Sequence, residues 1–221
     1  MTLVSAHRCL TEEDIEAAIA LGADYVEIDV HRTANGELVL HHDPIDVAPP
    51  EVLRYGEALR LLAGRARAHL DLKFEGDVVE AVALAVARLG TDSMLVTTLD
   101  DDAVRSVRDW ADATGHQLMV GLSLGRGVPG FELWRMVKVR ASELWPGVRY
   151  RHSRANVVVA HHWLARLRVR RFARRHGLPL LVWTVDTPRS LAYWMKPGRA
   201  WLVTTNEPAV ALGLRADRLS P

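Results

Sequence analysis

The chain has 221 residues, 49% of them hydrophobic, and carries 28 basic and 27 acidic residues for a formal net charge of +1. That length allows one large domain or two small ones, and the composition provides for a substantial core. The charge balance argues against bulk nucleic-acid binding and against an acidic tail; the lone Cys9 excludes an intrachain disulfide framework; and no apolar run reaches the 18 residues of a membrane span.

The opening MTLVSAHRCL has no basic n-region, so no signal peptide is read and a cytoplasmic protein is expected. TLVSAH (2–7) has the composition of a strand. TEEDIEAAIALG (11–22) predicts a helix, with Thr11 as cap, Asp14 at the capping-box spacing, acids in the first turn and Gly22 as the stop. DYVEIDV (24–30) predicts the next strand, Asn35-Gly36 a hairpin turn, and ELVLHH (37–42) the returning strand. A helix is expected over 49–64, after two prolines. Strands follow at 68–73, 94–98, 117–121, 156–160, 178–184 and 200–205. Helices are expected near 77–89, 100–114, 130–144, 163–176, 187–196 and 207–214. The stretch 124–155, with GRGVPG and WPGVRYRHSRAN, is the least regular.

Without the hairpin's return strand this makes eight strands, each followed by a helix or a helix-length connection. Strict alternation implies a parallel sheet with right-handed crossovers. Eight units imply an α/β fold of the (β/α)8 TIM-barrel type, with a β-hairpin after strand 2 and the whole of 1–221 in one barrel domain. An open, doubly wound sheet is the alternative.

Strand interiors are poor in Asp and Glu, which makes Glu27 and Asp29 conspicuous. Two apart on one strand, they share a face with Tyr25, while Val26, Ile28 and Val30 line the other. The helix-covered face of a barrel is apolar, so the carboxylates should point inward, late in their strand and near the carboxyl-end mouth where such barrels keep their sites. Asp71 and Lys73 repeat the pattern in AHLDLK, and His7 and Arg8 end the first strand. Carboxylates crowded in a partly dry mouth hold either a proton or a cation between them. An all-oxygen set of Glu27, Asp29 and Asp71 suits one Mg2+ or Ca2+ rather than Zn2+. The structural alternative is a salt-bridged cluster with Arg8, Arg32 or Lys73. His7 and His42 could supply acid/base chemistry near neutral pH. His41 and His42 are adjacent and face opposite ways on a strand, and alternation alone does not choose between them.

In their order along the chain, AHR (6–8), GADYVEIDVHRTANGELVLHHDP (22–44), LDLK (70–73), LPLLVWTVDTPRSLAYWM (178–195) and LVTTNEPA (202–209) resemble the glycerophosphodiester phosphodiesterase family. The resemblance implies a phospholipase C-like phosphodiesterase barrel with one divalent metal. It implies that His7 and His42 are the catalytic pair, that Glu27 and Asp29 are metal ligands, and that Arg8 and Lys73 meet the phosphate. Trp183 would line the pocket against the substrate's alcohol. The implied reaction is hydrolysis of a small-molecule glycerophosphodiester to glycerol phosphate and an alcohol. The substrate's own neighbouring hydroxyl attacks first, and water then opens the cyclic phosphate.

The chain departs from the family at several points. Cys9 follows Arg8 where the family has Gly, and the Pro-Glu-Asn-Thr loop motif is missing. Asp71-Leu72-Lys73 replaces Glu-x-Lys and is similar to the related sphingomyelinase D/phospholipase D barrels, which brings in lysophospholipid or sphingomyelin as alternative substrates. Asp186 stands where the family has Asn after WTV, with no evident consequence in the sequence. A barrel that binds metal or phosphate without turnover is the non-enzymatic alternative. WLARLRVRRFARRHG (163–177) carries six arginines, with Leu164, Leu167 and Phe172 expected to face the sheet. It is read as an outer barrel helix, with peripheral contact to anionic membrane as the functional alternative.

Overall fold

The structure, a computed structural model, describes residues 1–125 and 132–217. Eight parallel strands close on themselves: β1 (Leu3–Ala6), β2 (Tyr25–Arg32), β4 (Arg67–Leu72), β5 (Met94–Thr98), β6 (Met119–Leu124), β7 (Val157–His161), β8 (Leu180–Trp183) and β9 (Leu202–Thr205). Each pairs in parallel with the next, and β1 pairs with both β9 and β2. The pairing Ser5↔Tyr25 therefore shuts the sheet into a barrel and excludes the open alternative. β3 (Leu38–Leu40) runs back antiparallel to β2, with Val30↔Leu40 and Arg32↔Leu38 in register. It is shorter than the predicted return, because His41 to Pro44 leave the sheet toward the mouth.

Helices α1 (Glu12–Ala20), α2 (Tyr55–Leu62), α3 (Val79–Leu89), α4 (Asp101–Thr114) and α5 (Leu133–Leu144) stand outside the barrel. With them are α6 (Gly147–Ser153), α7 (His162–Leu164), α8 (Arg170–Arg175), α9 (Pro188–Trp194) and α10 (Pro208–Ala216). The capping box at α1 is formed as its sequence predicts, with Thr11 accepting from the Asp14 amide and Asp14 reaching back to Thr11. α2 starts later than expected, since 49–54 is turn and extended chain that bridges back to β3 through Val39↔Arg54. α6 arises within the stretch read as irregular; Tyr150 anchors it by donating to Leu122 O at 2.7 Å. Residues 126–131, which include most of GRGVPG, lie outside the described residues.

Two apolar cores flank the barrel wall. The larger joins the outward faces of the strands to the helices, and Val26, Ile28, Val30, Leu70 and Leu72 all sit in it. Full burial of each such side chain contributes roughly 1.5–3 kcal/mol. The smaller fills the barrel's lower interior with Tyr25, Leu95, Val157, Val159, Leu181 and Leu202. Arg67 closes it from below, stacked 4.7 Å from the Tyr25 ring centre. Gly121 is needed here: a Cβ would fall 2.4 Å from Val159 Cγ2. One or two residues further along the strands the interior turns polar, with Ser5, Glu27, His69, Thr97, Ser123 and Thr204 all buried.

Candidate active site

The polar layer opens into a mouth cavity of about 110 Å3, with space for several water-sized groups. His7, Arg8, Glu27, His42, Asp71, Lys73 and Trp183 line it. Asp29 lies beneath, fully buried. The residues singled out from sequence are thus brought together by β1, β2, β4, β8 and the segment after β3.

Alternation on β2 sends Tyr25, Glu27 and Asp29 inward, as expected. One oxygen of each of Glu27, Asp29 and Asp71 lies within 4.8 Å of the others. Burial, with Asp29 and Asp71 nearby, pushes the Glu27 carboxyl well above its ordinary range. Burial would also raise Asp29, but the Lys73 ammonium and the His42 hydrogen bond overcome it and hold that carboxyl low. Lys73 bridges the carboxylates, with Nζ 3.1 Å from Asp29 Oδ1 and 2.5 Å from Asp71 Oδ2. Burial opposes its charge; Asp71 and Asp29 outweigh burial and hold the ammonium above its usual value. The salt-bridged cluster and the candidate metal site therefore coincide. Arg32 stays out of it, bound to Glu80 and the Asp77 carbonyl.

The two histidines are each oriented by a partner. Asp29 Oδ2 accepts from His42 Nδ1 at 2.6 Å, which leaves Nε2 as an acceptor for Arg8 Nη2 at 3.0 Å. His41 turns away, its Nδ1 bonded to the Asp43 carbonyl. His7 Nδ1 is 2.9 Å from Asn206 Oδ1. Asn206 Nδ2 donates to Asp186 Oδ2 at 2.7 Å, which fixes the amide so that its oxygen faces His7. His7 therefore carries its proton on Nδ1 and turns Nε2 to the mouth, 4.0 Å from Glu27 Oε2. Burial lowers the His7 imidazole, against the Asn206 hydrogen bond.

Arg8 departs from ordinary backbone geometry. Its φ is +57°, a left-handed conformation that costs a non-glycine residue about 1–2 kcal/mol. The turn aims the Arg8 amide at Glu27 Oε2, 2.5 Å away, and places the Cys9 amide on Glu27 O. Cys9 is buried and donates weakly to Ala6 O.

Sequence reasoning passed over several members. Asp186 and Asn206 orient His7. Ser5, His69 and Thr97 form a buried chain: Ser5 Oγ to His69 Nδ1 at 3.2 Å, His69 Nε2 to Thr97 Oγ1 at 3.0 Å, and Thr97 Oγ1 donating to Asp71 Oδ1 at 2.7 Å. The available signal was His69 two places before Asp71 on the same strand face. Gly125 is a further one. A Cβ there would meet His161 Cβ at 2.6 Å and Trp183 Cζ2 at 3.3 Å, so its bareness makes room for the Trp183 indole. Trp183 is wedged edge-on against His161 with centroids 5.4 Å apart.

A sequence model described as the glycerophosphoryl diester phosphodiesterase family matches residues 10–56, from the end of the first loop through the hairpin. No protein of curated function matches the chain. Among solved structures, a glycerophosphodiester phosphodiesterase from Parabacteroides distasonis superposes with a TM-score of 0.75 at 18% identity, covering 99% of this chain and 98% of that one. One from Agrobacterium tumefaciens gives 0.74 at 18%, over 98% and 100%. An Oleispira antarctica phosphodiesterase, solved with the product sn-glycerol-3-phosphate, gives 0.71 at 18%, over 97% and 96%. At these identities the likeness carries the (β/α)8 fold, and the matched segment adds the family resemblance of the helix, strand and hairpin that bear Glu27, Asp29 and His42.

Proposed function

We propose that the protein is a divalent-cation-dependent phosphodiesterase that hydrolyses glycerophosphodiesters to glycerol phosphate and an alcohol. The observation that carries this reading is the convergence of three strand-borne carboxylates, two oriented imidazoles and two cations on one barrel mouth. The matched family segment and the product-bound relative support the substrate class.

The donor set fits the implied metal. It is all oxygen, its atoms lie close together, and Asp29 Oδ1 is buried facing the Lys73 ammonium as an ion pair. Glu27, Asp29 and Asp71 would hold Mg2+ or Ca2+, and the chemistry such an ion would supply there is charge neutralisation at the phosphate. Arg8 offers a planar fork to the phosphate and Lys73 a point charge. Burial keeps His7 neutral near pH 7, so its Nε2 suits removal of a proton from the attacking hydroxyl. His42, oriented by its Nδ1 bond to Asp29 Oδ2, presents Nε2 at the mouth for proton transfer to the leaving alkoxide. Trp183, held against His161 and Gly125, forms the wall beside the alcohol.

The test is hydrolysis of glycerophosphocholine, glycerophosphoethanolamine, lysophosphatidylcholine and a nitrophenyl diester, with and without a chelator. Chelator-sensitive release of glycerol phosphate is expected, with His42→Ala slower by about 10²–10⁴-fold. Mg2+ or Ca2+ should also raise the melting temperature of the wild type and leave Asp29→Asn unmoved. Full turnover in chelator would remove the metal from the reading. Choline release from the lysolipid alone would move the protein to the phospholipase D side, and silence toward every diester would leave a binding barrel.

A further inference from the structure

One wall of the barrel, outside the mouth, combines apolar exposure with a mainly basic charge. The chain is nearly neutral overall, yet no Asp or Glu occurs between Glu143 and Asp186, while nine arginines do. Two of them are neutralised within the fold: Arg149 pairs with Asp101, and Arg154 with Asp109 and Asp112. Among the described residues, none of the six arginines between Arg166 and Arg175 has a carboxylate within 4.0 Å; the ion pairs form elsewhere. Five of the six are exposed.

Large apolar side chains stand among these charges. Leu133, Trp134 and Val137 on α5, Trp145 and Val148 around the start of α6, and Leu167 are each between 57% and 76% exposed. Leu167 was expected to face the sheet. The helical segment 162–175 instead buries Ala165, Val169 and Ala173, a spacing of four, and its π-helical turn over Ala165–Val169 leaves Leu167 on the far side. The elements form one surface. Arg140 of α5 lies 5.3 Å from the Trp163 ring centre, and Arg168 lies 4.6 Å from that of Trp145. A groove of about 490 Å3 runs between Trp145 and Val148 on one side and Arg168, Arg171 and Arg175 on the other.

From this wall we infer a seat for an anionic lipid surface. Exposed apolar side chains rimmed by charge mark interaction sites. Tryptophans beside arginines, with no acid from 144 to 185 and Glu132 taken up by the Trp134 indole N–H at the edge, match a boundary that is apolar below and negative above. Arginine stems lie along the apolar surface while their heads reach phosphate. A helix that follows a barrel strand begins at the carboxyl-end mouth, so Trp163 and Leu167 lie within the first turns below the rim. A protein seated this way holds its mouth beside the lipid headgroups. The inference does not depend on the chemistry at that mouth.

The experiment is co-sedimentation of the full chain with vesicles of phosphatidylcholine alone and of phosphatidylcholine mixed with phosphatidylglycerol, at low and high salt, with a DNA duplex as a non-lipid polyanion. The mixed vesicles should bind, the neutral ones should not, and salt should weaken the binding. Arg171→Gln and Arg175→Gln should each lower the partition coefficient by roughly fivefold. Trp134→Ser should lower it with little effect of salt on the loss. Unchanged melting temperatures would certify that these exposed substitutions leave the fold intact, and unchanged hydrolysis of a soluble diester would keep this result separate from that of the active site. Absence of binding, equal binding to both vesicles, equal affinity for the duplex, or variants that bind like wild type would each overturn the inference.

Discussion

At the scale of single residues, the site depends on side chains that are held rather than merely present. Arg8 accepts a left-handed backbone so that its amide meets Glu27 and its guanidinium meets His42. Strain of this kind concentrates where function needs it. Arg8→Gly should therefore raise thermal stability slightly, by up to ~1 kcal/mol, while diester hydrolysis collapses; a melting curve beside a rate assay checks both. The carboxylates and histidines were legible in the sequence because same-face spacing on a strand is a local property. The partners that orient them were not. Asn206 lies 199 positions from His7, and only the closure of β9 onto β1 brings them together. Asp186 looked inconsequential as a replacement for Asn, yet both its oxygens accept from Asn206 and so set which nitrogen of His7 bears the proton.

At the scale of elements, the hairpin after β2 is the delivery arm for His42. Gly36 sits at φ +87°, its amide bonded to Thr33 O, and the Glu37 amide donates to the Thr33 hydroxyl oxygen. Gly36→Ala should cost about 1–2 kcal/mol locally. Because β3 is only three residues long, that cost is read as lost hydrolysis with a small change in melting temperature, and as faster amide exchange over 37–42. Strands and most helices were legible from periodicity and from a cap such as Thr11. α6 was not, because its stability comes from Tyr150 reaching β6 and from Arg149 pairing with Asp101, contacts that no helical period encodes. The face of the arginine-rich helix was misassigned at Leu167 for a related reason: a π-helical turn shifts the register that an α-helical wheel assumes.

At the scale of the molecule, the barrel is an apolar plug beneath a buried polar layer, and that layering makes it sensitive to acid. His69 is fully enclosed, and burial, assisted by His7, pulls its imidazole down to about 3. An unfolded chain binds that proton near pH 6.5. Between those values the unfolded state holds more protons, so stability rises with pH and is lost as pH falls from 6.5 toward 3. Urea midpoints should drop by the equivalent of roughly 1 kcal/mol per pH unit across that window, and His69→Gln, whose amide can donate to Thr97, should flatten the dependence. The same enclosure acts on Cys9, in the tight loop between β1 and α1. Burial, with Glu27 and Asp14 nearby, drives its thiol up to about 12, so it is neither exposed nor ionised in the closed barrel. An alkylating reagent reaches that sulfur only when the first loop lifts off β2. Because Glu27 hangs from that same loop through the Arg8 and Cys9 amides, the chain carries a built-in clock for how often the floor of its own site comes apart.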